Sequence, residues 1–420
     1  MHLLKDTGVH FENKRVSRLF FVFLWLMYAV VYMAKNCFSG ALAKIVEQGA
    51  LTLTQAGIIN AVFYFVYAPL QVLGGIFADK YSPEKLISVG LLGSAVSNIV
   101  IYFNQSFTVM LISWIFNAII QFALWPSVFK ILSSQLVRSD RSKMVFFMSF
   151  AMSGGLVFAY LVAAFVERWQ DNFLISSISL TVLAILLIAI CKRLDPLLKK
   201  DKAEQIKTDK LPRATKTTAK RVFVGSGFLM MLIAMFFCSM VESSVKNYSA
   251  TMLNQSYESI SPTVANLLGV LIIIAGILGI LLIKFLLFPR IIKSEFVCYL
   301  VATGLSLPFA IILQYVGKTP LSLAVVSLCL INLFVTAGNI MSNYFVIRFS
   351  KYGMNGTAVG LINSAAAFGF ALQYCLFGVI ADGNGGWQRV VFIWLGLIVA
   401  AIIALIFGIV PSIKFSKSEE

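Results

Sequence analysis

The 420-residue chain holds only two histidines, His2 and His10, and both precede its first apolar run. A histidine proton relay at membrane depth is therefore excluded. Acidic residues are also scarce, with 18 Asp and Glu against 34 Lys and Arg. Charged residues make up 12% of the chain, against roughly 25% in soluble proteins. The six cysteines, Cys37, Cys191, Cys238, Cys298, Cys329 and Cys375, stand singly without a CxxC spacing. That pattern supports neither a metal site nor a disulfide framework, and it leaves the thiols as packing groups. No GxxxxGK[ST] stretch occurs, so there is no phosphate-cradling loop for ATP. The apolar runs carry no set of nucleophile, base and acid, so the chain does not read as an enzyme, and no cofactor or metal is expected.

What the chain has in abundance is apolar surface. The hydrophobic fraction is 59%, Phe alone numbers 36, and the mean hydropathy is +0.89. A spanning helix needs roughly 20 apolar residues. Runs of that kind fall at 19–45, 55–78, 86–103, 107–136, 143–166 and 172–191, and again at 222–253, 262–288, 294–316, 320–347, 357–381 and 388–410. Between the two sets lies the basic stretch 192–221, almost free of bulky apolar residues. The expected fold is an all-α membrane protein of about twelve transmembrane helices. Its parts are a tail 1–18, a six-helix bundle 19–191, a linker 192–221, a second bundle 222–410 and a tail 411–420. The two bundles are expected to be pseudo-symmetric around a central cavity. The first run follows Lys14, Arg15 and Arg18 but continues too far for a signal peptide, so it reads as the first spanning helix.

A formal charge of +16 invites nucleic acid as a partner. Its placement argues instead for topology and anionic lipid, because the bases gather at the ends of the apolar runs. With both termini inside, the inner segments hold the linker bases and others such as Lys80, Lys85, Arg138, Arg290, Arg348 and Lys414. The outer segments hold only Lys44, Arg168, Lys318 and Arg389. This bias sets the expected orientation, with both ends cytoplasmic, for a chain expected to be multi-pass in the cell membrane. The expected partners are the lipid bilayer and a small-molecule substrate, with a co-transported proton or an exchanged phosphate. A monomer is expected.

Ionisable groups inside a span cost several kcal/mol unless paired or wetted, so they are functional candidates. Here they are Lys35, Lys130, Lys246, Lys284 and the acid Glu242. Tyr28, Tyr32 and Lys35 recur at i, i+4 and i+7 and share one helix face. Two hydroxyls and an ammonium suit an anionic or hydroxylated ligand, or else the tyrosines pack as plain aromatics. Gln71, Gln121 and Trp125 add hydrogen-bonding and stacking groups on neighbouring spans. Asn332, Thr336, Asn339 and Asn343 form a polar stripe that faces either a substrate or another helix, and Asn363 carries the same two readings. Glu242 either pairs with Lys246 one turn along or lies across the cavity from Lys35 and takes up a proton during the cycle. Gly154-Gly155 and Gly276-x-x-Gly279 read as contacts for close helix crossing.

After the second run comes Gly75-x-x-x-Asp79-Lys80, followed by Tyr81-Ser82-Pro83-Glu84-Lys85. It resembles the loop signature of the major facilitator superfamily, in the variant of the organophosphate:phosphate antiporters. In such a loop the Asp and base act as a breakable charge lock between conformations, and the alternative is an ordinary charged turn. The second-half counterpart, Gly279-x-x-x-Ile283-Lys284, lacks the Asp, so the lock is expected on one side only. Tyr28-x-x-x-Tyr32-x-x-Lys35 with Val46-Glu47-Gln48-Gly49 is similar to the antiporters' first helix. Gln121-x-x-x-Trp125-Pro126 is similar to the fourth, and Gly356-Thr357-Ala358-x-Gly360 to the eleventh.

The resemblance implies secondary active transport by alternating access, of a small polar, anionic organic solute. The departures bear on the substrate. The antiporters grip phosphate with two arginines, whereas this chain has Lys35 at one position and Glu242 at the other. A family lysine stands here as Gln71 and a family histidine as Met152. A bidentate arginine clamp is absent. Two other functions stay open: a proton-coupled symporter of a zwitterion or carboxylate using Glu242, and a transporter-like sugar-phosphate sensor.

Overall fold

A computed structural model describes residues 9–11, 13–137, 139–194, 198–200, 223–352, 355–383 and 386–417. Thirteen α-helices dominate them. They are α1 (Lys14–Glu47), α2 (Leu53–Lys80), α3 (Pro83–Phe103), α4 (Phe107–Ile120), α5 (Leu124–Ser134), α6 (Arg141–Phe165) and α7 (Asp171–Leu194). After the linker come α8 (Phe228–Ser256), α9 (Pro262–Leu282), α10 (Glu295–Leu313), α11 (Leu321–Val346), α12 (Asn355–Asp382) and α13 (Gly386–Lys417). Among the described residues, 11 helical segments are long and apolar enough to cross a membrane, against about twelve expected, and Phe150–Phe165 of α6 is a shorter apolar segment. The exterior confirms the solvent they are built for: Phe103, Phe165 and Phe407 are 75%, 76% and 69% exposed. Only lipid tolerates such a surface.

Helix starts follow local chemistry. The Asn13 side chain accepts the Arg15 and Val16 amides at 2.8 and 3.3 Å and so begins α1. Ser261 caps α9 with Pro262 at its first position. The fourth apolar run, expected as one helix, breaks at residues 121–123 into α4 and α5. Pro126 accounts for the break: it has no N–H, and its ring clashes with the carbonyl four residues back, at Phe122. The eighth run ends in a wider π-turn, Ile283–Leu287, which contains Lys284.

The described chain divides into two compact units. One comprises residues up to 51 and 62–206, the other 52–61 and 207 onward. In the first unit α1 is the enclosed helix, and every residue from Met33 to Ile45 is buried. It runs against α6, where Gly155 leaves room for the chain: a Cβ there would meet the Ala29 carbonyl at 2.2 Å. A short antiparallel pair, β1 (Val9–Phe11) with β2 (Leu198–Lys200), joins the N-terminal tail to the chain after α7. Phe11 is buried edge-on against Phe20, and its amide donates to the Gln135 carbonyl at 2.9 Å. The rest of the basic stretch 192–221 lies outside the described residues, apart from Lys192–Leu194 at the end of α7.

In the second unit α8 holds the corresponding enclosed place. Every residue from Cys238 to Leu253 is buried except Glu242 and Lys246. Gly279 of α9 would meet the Leu333 carbonyl of α11 at 2.2 Å if it carried a Cβ. This unit also includes the first turns of α2. Asp382, at the end of α12, accepts the Thr54 amide and hydroxyl at 2.7 and 2.6 Å and the Leu53 amide at 3.3 Å. Those amides are orphan donors of a helix start, and the carboxylate also suits the positive end of the helix dipole.

Candidate functional site

The first unit gathers several of the sequence candidates around one ammonium. Lys35 is 7% exposed. Its Nζ lies 4.2 Å from the Tyr67 ring centre, 4.8 Å from Phe63 and Tyr64, and 5.4 Å from Tyr32. Tyr28 packs on Tyr32 at 5.2 Å and on Trp125 at 5.0 Å between ring centres. Gln71 sits by the Tyr67 hydroxyl. Tyr28, Tyr32, Lys35, Gln71 and Trp125 therefore belong to one cluster, drawn from α1, α2 and α5.

No acidic group among the described residues lies close enough to pair with Lys35, and none of its three N–H bonds has an acceptor there. Aromatic faces stabilise a cation by about 0.5–2 kcal/mol each, depending on desolvation. They accept no conventional hydrogen bond from it. The rings therefore hold the charge in place and leave its donors unengaged by the described residues.

Phe63, Tyr64 and Tyr67 were not among the sequence candidates. The signal was present, since Tyr64, Tyr67 and Gln71 recur at spacings of three and four and share a face of α2. Gln121 stands apart from the cluster. It is 3% exposed, and its amide donates to Ser94 Oγ at 2.9 Å and Asn117 Oδ1 at 2.8 Å, inside the packing of α3 on α4.

The second unit treats its buried charge differently. Lys246 Nζ donates to Glu242 Oε1, and Asn339 Nδ2 donates to Glu242 Oε2. Thr336 Oγ1 lies 3.1 Å from both Glu242 Oε1 and Asn332 Oδ1, so its one proton is shared between two acceptors. Asn339 also accepts from the Tyr299 hydroxyl, and Asn332 donates to the Ile272 carbonyl at 2.7 Å. The polar stripe of α11 is thus an interhelical network from Asn332 to Asn339, while Asn343 is exposed. Asn363 on α12 is exposed as well.

The charged loop signature falls in the last turns of α2, where Gly75 and Asp79 lie in the helix and the Asp79 side chain is outside the described residues. Lys80 is exposed. Lys130 of α5 donates to the Ala78 carbonyl at 2.6 Å, which places a cation at the negative end of α2. The second unit has a charge pair that the sequence reading did not anticipate. Arg348, past the end of α11, grips Glu295 of α10 with two bonds, Nε to Oε1 at 3.1 Å and an Nη to Oε2 at 2.5 Å. At the N-terminal end of α6, Arg18 pairs with Asp140 at 3.0 Å. That hydrogen bond holds the Asp140 carboxyl below the usual carboxylate range.

The chain is similar to a membrane sensor protein, UhpC, of Escherichia coli, 26% identical over 118 residues; the match covers 28% of this chain and 27% of the sensor's length. It is similar over nearly its whole length to a probable hexose phosphate transport protein of Chlamydia muridarum, 23% identical over 412 residues, covering 92% of this chain and 89% of that one. Its fold matches the crystal structure of a bacterial homologue of the human lysosomal transporter Spinster, inward-facing and unoccupied. That match has a TM-score of 0.70 and 15% identity, and covers 95% and 96% of the two chains. The sequence profile of the Major Facilitator Superfamily matches residues 24–373. The chain is a multi-pass membrane protein that belongs to the Major Facilitator Superfamily.

Proposed function

We propose that this protein carries a small organic anion across the cell membrane by alternating access, with Lys35 as the group that holds the anion. The observation that carries the reading is the Lys35 ammonium, buried among aromatic rings with its N–H donors unclaimed by the described residues. A charge kept at that depth without a partner costs several kcal/mol, and an incoming anion relieves the cost. Tyr28, Tyr32, Tyr64 and Tyr67 supply hydroxyls and ring faces for the rest of the solute. The transporter names among the relatives support the same class. The distribution of bases supports a cytoplasmic position for both termini and the linker.

In this reading Glu242 and Lys246 form a neutral pair that stabilises the second unit. The proton-coupling alternative assigns Glu242 a proton in one conformation. A sensing role is the other alternative, favoured by the UhpC match. Uptake by liposomes containing the purified protein decides among them. Solute accumulation supports transport, and its loss with a protonophore supports proton coupling. Ligand binding without uptake of any bound ligand would overturn transport and leave sensing.

A further inference from the structure

The cluster around Lys35 is a neutral cage with one positive charge at its centre, and that charge count bears on the solute. Tyr28, Tyr32, Phe63, Tyr64, Tyr67 and Trp125 are uncharged, and their ring faces carry partial negative character. Two further basic groups among the described residues of this unit are engaged elsewhere. Lys44 follows Lys35 by nine residues, about 13 Å of helix rise, and donates to the Val166 carbonyl. Lys130 is held at Ala78, eleven residues or about 16 Å along α2 from Tyr67. In the other unit, the Lys246 charge is already balanced by Glu242.

We infer that the anion held at Lys35 carries a single negative charge, as a carboxylate or sulfonate does, and that a phosphate monoester in its dianionic form is disfavoured. The inference rests on the anion-carrier reading above. One ammonium neutralises one charge. A dianion would leave a second negative charge in a poorly hydrated site, facing aromatic rings that repel it. The tyrosine hydroxyls can donate hydrogen bonds to extra oxygens, but neutral donors do not cancel that net charge. The ammonium is also a point charge without the planar fork that matches phosphate in two bonds.

The test uses the whole purified protein and pairs of ligands matched in skeleton: glycerate with glycerol 3-phosphate, gluconate with glucose 6-phosphate, and benzoate with phenyl phosphate. Binding is measured at pH 7.5 and 5.5. A phosphate monoester has its second pKa near 6 and passes from dianion to monoanion between these values. A carboxylate keeps one charge and reports any titration of the protein itself. For a pair that binds, the carboxylate is expected to bind at least about tenfold more tightly at pH 7.5, and the gap should close to about threefold or less at pH 5.5. Lys35→Met should abolish binding of both members, and Lys35→Arg should narrow the gap at pH 7.5. If either variant does not fold, the comparison of pH values on the unmodified protein stands by itself. A phosphate monoester that binds more tightly than its carboxylate partner at pH 7.5 overturns the inference and leaves the anion-carrier reading intact. If no member of any pair binds at either pH, the anion-carrier reading falls, and this inference with it.

Discussion

Lys35 on α1 and Glu242 on α8 pose the same physical problem, a charge inside the most enclosed helix of a unit, and the two units answer it in opposite ways. Glu242 accepts from a lysine, an asparagine and a threonine, so both of its oxygens are engaged. Lys35 is surrounded by rings that steady its charge but leave its N–H bonds unused among the described residues. A complete hydrogen-bond network fixes structure and lowers the gain from adding anything else. An incomplete one is where a ligand gains most. Under the proposed function, the contrast separates a site open to a solute from a site that already holds its partner.

The sharpest way to break the contrast is to remove each charge in turn. Lys35→Ala should weaken solute binding by about a hundredfold or more, roughly the 3 kcal/mol expected for a desolvated ion pair losing one member. The check is binding or exchange by the reconstituted protein. Lys35→Ala protein that still binds within threefold of the original would move the anion site elsewhere.

In the second unit the large effect should fall on stability. Glu242→Gln or Lys246→Met alone leaves one buried charge behind and should cost about 3–5 kcal/mol, read as a lower melting midpoint. The double substitution should recover most of that loss, because removing both charges also removes the need for either. Uptake by Glu242→Gln gives the second readout. Accumulation with an unchanged pH dependence is expected for a structural pair. If accumulation driven by a pH gradient is lost while exchange survives, Glu242 is a coupling group and the contrast between the units is one of timing.

A smaller effect is expected at the start of α2. Asp382→Ala removes the acceptor for the Leu53 and Thr54 amides, and loss of such a cap costs about 1 kcal/mol. Asp382→Asn should retain about half of the effect, since it still accepts but carries no charge for the helix dipole. Thermal unfolding of the two variants side by side measures the difference.

The smallest effect belongs to the exposed pair of Arg18 and Asp140. Its carboxyl titrates below its unfolded value, so the pair contributes above the ordinary carboxylate pKa of about 4 and is lost as pH falls through the depressed folded value. Asp140→Asn should therefore lose that small contribution at pH 7 and flatten the decline in acid. Arg348→Leu is the buried counterpart. It strips Glu295 of both its bonds from Arg348, and should resemble the Glu242 variants in size.

Much of the architecture was legible in composition alone, because a spanning helix must be apolar over a fixed length whatever its neighbours are. The break at residues 121–123 was not anticipated, although Pro126 carries the reason for it in a single residue. Lys35 and Glu242 stood out by their rarity in apolar runs, and Lys246 could be paired with Glu242 from helical spacing. What surrounds Lys35 was less visible. Its closest rings lie on α2, and sequence periodicity gives the face of a residue within its own helix, not the helix it meets. Gln121 illustrates the same limit: its side chain reaches Ser94, a contact between residues 27 apart in the chain.

The two units also differ in when they can be finished. A chain leaves the ribosome from its N-terminus, and domains fold in that order. The first unit is clasped by β1 and β2, and the second strand of that clasp, Leu198–Lys200, emerges directly after α7. That half can close on itself while the rest is still being made. The second unit instead takes in Leu53 and Thr54, and their cap, Asp382, arrives 328 residues after Thr54. The bond at Thr54 is therefore among the last that synthesis permits. It marks the moment at which a segment inserted early is finally claimed by helices made late.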